Sequence, residues 1–163
     1  MIKSRLSLNL LYFCLLFCTF LTVDTRNSTA NTSFFGKISL SPNTEAAKKT
    51  VRGYTGGSYR LSAIGKRDRL KNLCIGFADP KPDHILVLEK DFPKLNIKVN
   101  SGGYDTTLLI VGPDKKTIRC GDDTGKSKDA SINGKNWKAG TYKIWVGSFQ
   151  AEFRRNYRLY LQQ

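Results

Sequence analysis

Through most of the chain after residue 30, apolar and polar residues alternate in short runs separated by turn residues. Phe35, Ile38 and Leu40 begin the pattern, which stops at Ser41-Pro42-Asn43. Leu95, Ile97 and Val99 alternate with Asn96, Lys98 and Asn100, and Ser101-Gly102-Gly103 then turns the chain. Tyr142, Ile144 and Val146 alternate with Lys143 and Trp145, and Tyr157, Leu159 and Leu161 with Arg158 and Tyr160. A period of two predicts strands with one face buried. Thr107-Leu108-Leu109-Ile110-Val111 is β-branched or apolar throughout, as a strand covered on both faces would be. Gly112-Pro113-Asp114-Lys115 is a strong turn, and Thr117-Ile118-Arg119-Cys120 returns as its hairpin partner. No window carries a helical stripe, and Thr44 to Lys49 allows one turn at most. Several strands punctuated by turns predict an all-β, antiparallel β-sandwich. The stretch from Lys48 to Lys71 differs. It is rich in Gly and basic residues with scattered apolar positions, and reads as a long excursion carrying one or two short strands.

The first thirty residues follow another logic. Lys3 and Arg5 precede an apolar run from Leu6 to Val23, and small Ser28 and Ala30 then offer a cleavage site. That order describes a secretory signal peptide over residues 1–30, leaving a single domain over 31–163. An uncleaved anchor is the alternative, since the run approaches the ~20 residues that span a bilayer. No positive cluster follows the run, which favours cleavage. Cleavage removes two of the four cysteines, Cys14 and Cys18, and leaves Cys74 and Cys120. In an exported domain two cysteines are most simply one disulfide, with a free thiol as the alternative. A zinc site would need further ligands that a single His cannot supply. The bridge would tie the basic excursion to the hairpin that bears Cys120.

Several motifs in the second half occur in a familiar order. They are Pro82-Asp83-His84 before an apolar strand, Leu95-Asn96-Ile97-Lys98-Val99, Tyr104-Asp105-Thr106-Thr107-Leu108 and Gly112-Pro113-Asp114. Cys120-Gly121-Asp122-Asp123, Ala139-Gly140-Thr141-Tyr142, Trp145-Val146-Gly147-Ser148 and Tyr157-Arg158-Leu159 follow. This series resembles the bacterial pre-peptidase C-terminal domain. With Tyr54-Thr55-Gly56-Gly57 and Cys74-Ile75-Gly76-Phe77 upstream it is also similar to small exported proteins of cyanobacteria. The resemblance implies a jelly-roll-like sandwich, used as an accessory module beside secreted enzymes. No peptidase accompanies it in this sequence.

Charge narrows the function. The 163 residues hold 27 Lys and Arg against 13 Asp and Glu, a formal net charge of +14, with one His. One His excludes two-histidine relays and His-rich metal sites. His84 itself reads as a locally bonded residue at a strand entry, because no nucleophile motif accompanies it. Gly53 to Ser58 lacks the Lys-Ser/Thr of a phosphate loop and reads as a turn. The chain therefore reads as non-catalytic. Lys48, Lys49, Arg52, Arg60, Lys66, Arg67, Arg69 and Lys71 crowd the excursion, and Arg154, Arg155 and Arg158 crowd the last hairpin. Outside the cytosol the abundant polyanions are acidic polysaccharide, envelope polymers and lipid headgroups rather than nucleic acid. An anionic polymer or surface is the expected partner, and an exported protein is the alternative. A solvated positive coat without a ligand also fits. Asp105, Asp114, Asp122 and Asp123 are the acidic concentration. Asp105, Asp122 and Asp123 would be the first ligands of a calcium ion, although turn capping explains the aspartates equally well.

Overall fold

The computed structural model describes residues 32–163, and the signal-peptide reading of residues 1–30 lies outside the described residues. Eleven strands follow in chain order: β1 (Lys37–Leu40), β2 (Lys48–Tyr54), β3 (Tyr59–Arg60), β4 (Phe77–Ala78), β5 (His84–Leu88) and β6 (Phe92–Asn100), then β7 (Thr106–Val111), β8 (Ile118–Gly121), β9 (Ser131–Trp137), β10 (Gly140–Ser148) and β11 (Asn156–Gln162). They form two sheets. In the first, β10 is central: it pairs antiparallel with β5 on one side and β7 on the other. β1 adds to β5 in parallel, β8 adds to β7, and the short β3–β4 ribbon joins β10 at Ser148. The second sheet is fully antiparallel, in the order β2-β11-β6-β9.

The alternation read from the sequence decides which face goes inward. Ile97 and Val99 of β6 and Leu159 and Leu161 of β11 are fully buried, and they meet Leu108 and Ile110 of β7 and Ile144 and Val146 of β10 in one core between the sheets. The all-β sandwich is therefore observed. The apolar run in β7 also behaves as expected, since every residue from Thr106 to Ile110 is buried. Leu108 and Ile110 face the second sheet, whereas Leu109 joins Trp145, Leu61, Ala78, Cys74 and Cys120 in a separate cluster on the other side.

That second cluster explains the excursion. Residues 61–76 lie over the outer face of the first sheet, and Cys74–Cys120 closes them onto β8 with a Cα–Cα distance of 5.2 Å. Asp68 completes the closure. Its carboxylate accepts the amides of Leu70 and Asn72 (2.8 and 2.9 Å), the Asn72 side chain, and the Cys120 amide at 3.2 Å. One acid thus shapes the loop and fastens it to the strand that carries the bridge.

Two strands depart from the sequence reading. Lys48–Tyr54 opens no excursion; it is the seven-residue edge strand β2, paired along its length with β11. Its inward positions are Lys49, Val51 and Gly53, so only one aliphatic side chain betrays it. Gly53 is required there, since a Cβ would collide with the Tyr157 hydroxyl and stand 2.7 Å from the Phe35 ring. β9 was not legible because its alternation breaks at Asn136, which takes φ 55° between the Lys94–Lys135 and Phe92–Trp137 pairs, so that inward Gly134 and Trp137 are three residues apart. The predicted single turn near Thr44 is present as a 3₁₀ turn at Glu45–Ala47.

A polar cluster is built into one end of the core. His84 is fully buried, and its Nε2 shares a 3.0 Å hydrogen bond with the Tyr157 hydroxyl. Asp83 is buried beside it and accepts the Val146 amide at 2.7 Å. Burial pushes the Asp83 carboxyl up from 3.8 to about 7, and nearby Asp79 adds to the shift. Burial pushes His84 down from 6.5 to about 4, and it drives the Tyr157 phenol upward, so the phenol stays protonated.

These shifts have opposite consequences for stability. Between about pH 4 and 7 the folded chain holds a proton on Asp83 that the unfolded chain has released, so this contribution falls as pH rises. Between about pH 4 and 6.5 the unfolded chain holds a proton on His84 that the folded chain refuses, so that contribution rises with pH. The two nearly cancel. Asp83→Asn keeps an acceptor for Val146 and removes only the first. Its urea midpoint should therefore rise from pH 4.5 to 6.5, while that of the parent stays nearly level. Replacing Cys74 and Cys120 together by Ser should cost about 2–4 kcal/mol and lower the melting temperature by roughly 10 °C, as calorimetry would show.

Candidate functional site

The two sheets differ in what their outer faces meet. Residues 61–76 cover that of the first, whereas that of the second is open. The four strands of the second sheet carry seven Lys and Arg and no Asp or Glu. Because side chains alternate, register shows which of them share the open face. Arg52 lies opposite Arg158, which lies opposite Asn100. In the next row Thr50, Tyr160, Lys98 and Ser131 run side by side, followed by Lys48, Gln162, Asn96 and Asn133. Lys94 and Lys135 are directly opposed beyond them. Six of the seven cations therefore project to one side, and Tyr160, 37% exposed, stands among them. Lys49 is the seventh and shares the inward parity of Val51 at the sheet edge.

The eight basic positions expected to act together are divided by this arrangement. Lys48 and Arg52 belong to the open face of the second sheet. Lys66, Arg67, Arg69 and Lys71 lie on the segment that covers the first sheet, across the sandwich, and Arg60 lies on β3 of that sheet. Arg60 rests 5.0 Å over the Phe77 ring, and Arg67 donates to the Lys71 carbonyl at 2.7 Å. Lys94 and Lys98, which the sequence places on a strand without marking them, prove to be members of the open face together with Lys135 and Arg158. Register alone reveals this, because these residues come from three separate strands.

Arg154 and Arg155 occupy the loop between β10 and β11. Arg154 packs 3.6 Å over the Tyr54 ring, and Arg155 lies over both Tyr104 and Phe153. Phe35 meets Tyr54 edge-on at 4.8 Å. This end of the sandwich is a rim of aromatic rings and guanidinium groups, with Phe149 and Phe34 exposed on it.

The aspartates separate in a similar way. Asp114 caps its own turn by accepting the Lys116 and Thr117 amides and the Thr117 hydroxyl, which holds its pKa below the usual carboxylate value. Asp105, Asp122 and Asp123 do converge, each offering an oxygen within 4.8 Å of the others. Burial, then Asp123 and Asp105, push the Asp122 carboxyl upward. Lys128 reaches Asp105 at 3.1 Å, however, and occupies part of the group with its own positive charge. Calcium takes six to eight oxygens, so three carboxylates shared with a lysine are a poor cage. Melting curves in millimolar Ca²⁺ and in chelator should coincide. A clear upward shift with Ca²⁺ would instead show an ion bound to the native state.

No family model and no curated protein sequence matches the chain. Among solved structures, the pre-peptidase C-terminal domain of a collagenase from Bacillus anthracis is similar, with 14% identity, a TM-score of 0.49, and coverage of 80% of this chain and 97% of that one. PliG of Aeromonas hydrophila, a periplasmic inhibitor of g-type lysozyme, is similar at 13% identity and a TM-score of 0.44, over 78% of this chain and 96% of its own. Neither comes from a cyanobacterium. The first is a domain of the family that the motif order of this chain resembles.

Proposed function

We propose that this protein is an exported, non-catalytic β-sandwich module that binds an anionic polymer through the open face of its four-stranded sheet. The carrying observation is the charge arrangement there. Arg52 opposes Arg158 and Lys94 opposes Lys135, with no acid on the four strands to offset them. Directly opposed like charges destabilise a sheet, so the arrangement is more costly to the free protein than to one covered by an anion. A disulfide suits an oxidising compartment outside the cytosol. The non-catalytic reading is supported by His84, buried against Tyr157, and by aspartates such as Asp68 and Asp114 that are engaged by backbone amides.

A second reading has its own observation. Tyr, Phe and Arg are enriched where proteins dock, and the rim formed by Tyr54, Tyr104, Arg154 and Arg155 would serve an exported protein partner.

Salt and mutation separate the two. Single exposed charges contribute ~0–1 kcal/mol each, so the face must act collectively. Retention on an anionic matrix should weaken steeply as the Debye length falls from ~10 Å at 0.1 M to ~3 Å at 1 M salt. Replacing Arg52, Lys98 and Arg158 by Gln should reduce affinity about tenfold at low salt. Replacing Lys66, Arg69 and Lys71 removes the same formal charge and should have a much smaller effect. Equal losses would mean a solvated coat. A salt-insensitive protein partner released by Arg154→Ala and Tyr54→Ala would establish the rim instead.

A further inference from the structure

We infer that the polymer is an anionic polysaccharide, with a carboxylate or sulfate group seated between Arg52 and Arg158 and a sugar ring lying on Tyr160. This rests on the binding face proposed above and narrows its ligand.

The acid seat follows from register and donors. Arg52 and Arg158 are opposed on adjacent strands, and neighbouring strands stand about 4.8 Å apart. Two planar guanidinium groups at that spacing offer paired donors to one oxyanion, a geometry that lysine does not supply. Asn100 continues the row, and its Oδ1 accepts the Gly102 amide at 3.2 Å, which leaves the NH₂ to donate outward. Beside these three donors opens a cleft of about 650 Å³, walled by the rings of Phe35 and Tyr54. Gly53 and Gly102 also line it. The seat therefore has a donor floor, an aromatic wall and no competing carboxylate among its lining residues.

Tyr160 lies two residues along β11 from Arg158, roughly 7 Å away. Thr50 and Lys98 flank it, and the next row is Lys48 with three amides, Gln162, Asn96 and Asn133. A bare polyphosphate needs only the cations. The amides, the hydroxyls and the central ring become useful to a polymer that also presents hydroxyl groups and an apolar C–H face. A lipid surface fits less well, because the outward positions of β2, β11, β6 and β9 hold no Leu, Ile, Val, Phe or Trp to enter it. Single-stranded nucleic acid wants several stacking platforms in succession, and the middle of the face has one.

Titration calorimetry of the exported protein tests this with four probes: polygalacturonate, dextran sulfate, inorganic polyphosphate, and vesicles of phosphatidylglycerol. Tyr160→Ala should weaken binding of the responding acidic polysaccharide about tenfold and leave polyphosphate within about twofold. The charge-conserving pair Arg52→Lys with Arg158→Lys should weaken the polysaccharide similarly, which a pure charge effect would not. Unchanged melting temperatures would confirm that both variants fold. A response confined to polygalacturonate or to dextran sulfate names the acid as carboxylate or sulfate. If both variants bind the polysaccharides as the parent does, or if polyphosphate or vesicles bind more tightly and Tyr160→Ala is silent, the polysaccharide inference is overturned while the cationic face stands. If no probe binds, or if Arg52→Gln with Arg158→Gln has no effect on any of them, the binding face itself is overturned.

Discussion

The architecture depends on one constraint: the central strands β7 and β10 are apolar on both sides. Leu108, Ile110, Ile144 and Val146 require a cover on one face, and Leu109 and Trp145 require another on the opposite face. The second sheet supplies the first cover. Residues 61–76 supply the other, with Leu61 and Cys74 buried and Ile64 packed against them while Leu70 and Leu73 stay exposed. The Cys74–Cys120 bridge and the fourfold bonding of Asp68 hold them there. This division of labour leaves the second sheet with a single burial obligation, so its other face is free to carry charge.

Charge then distributes itself by the same rule. Acids sit in loops, where backbone amides or a lysine engage them, as at Asp68, Asp91, Asp114 and Asp129. The outward positions of the second sheet hold cations, amides and Tyr160. Two pairs of like charges are directly opposed within a regular ladder, which local sheet energetics disfavours. Local rules are broken chiefly where a site has a use for the breach. The basic residues over the first sheet do not share this quality, since Arg60 and Arg67 have partners within the protein.

Polar groups inside the core follow a complementary pattern. Asp83 and His84 are adjacent in sequence yet shifted in opposite directions by the same burial, because burial favours the neutral form of each. Phe35 and Tyr157 pack against His84 at that end of the sandwich, with ring centroids 5.6 and 6.0 Å from the imidazole. The core end and the ligand cleft therefore share the side chains Phe35 and Tyr157.

Much of the fold was legible from the sequence, because a period of two and the turn residues dictate which positions must leave water. β6, β7, β8, β10 and β11 follow from that pattern, and the cysteine pairing follows from the count left after Cys14 and Cys18 are set aside. β2 and β9 were not legible, since their inward rows are interrupted by Gly53, by Gly134 and by the positive φ of Asn136, and the two glycines answer to Tyr157 and Phe35 on other segments and to Arg119 and Trp137. Composition shows that the chain is basic and can crowd cations into one stretch, but it cannot say which of them face the same way. Strand register decides that. It brings Arg52, Lys98, Lys135 and Arg158 from four separate strands onto one face, while the Cys74–Cys120 bridge and Asp68 hold the segment of Lys66 and Arg69 over the other sheet, because only the folded chain sets which residues lie opposite one another.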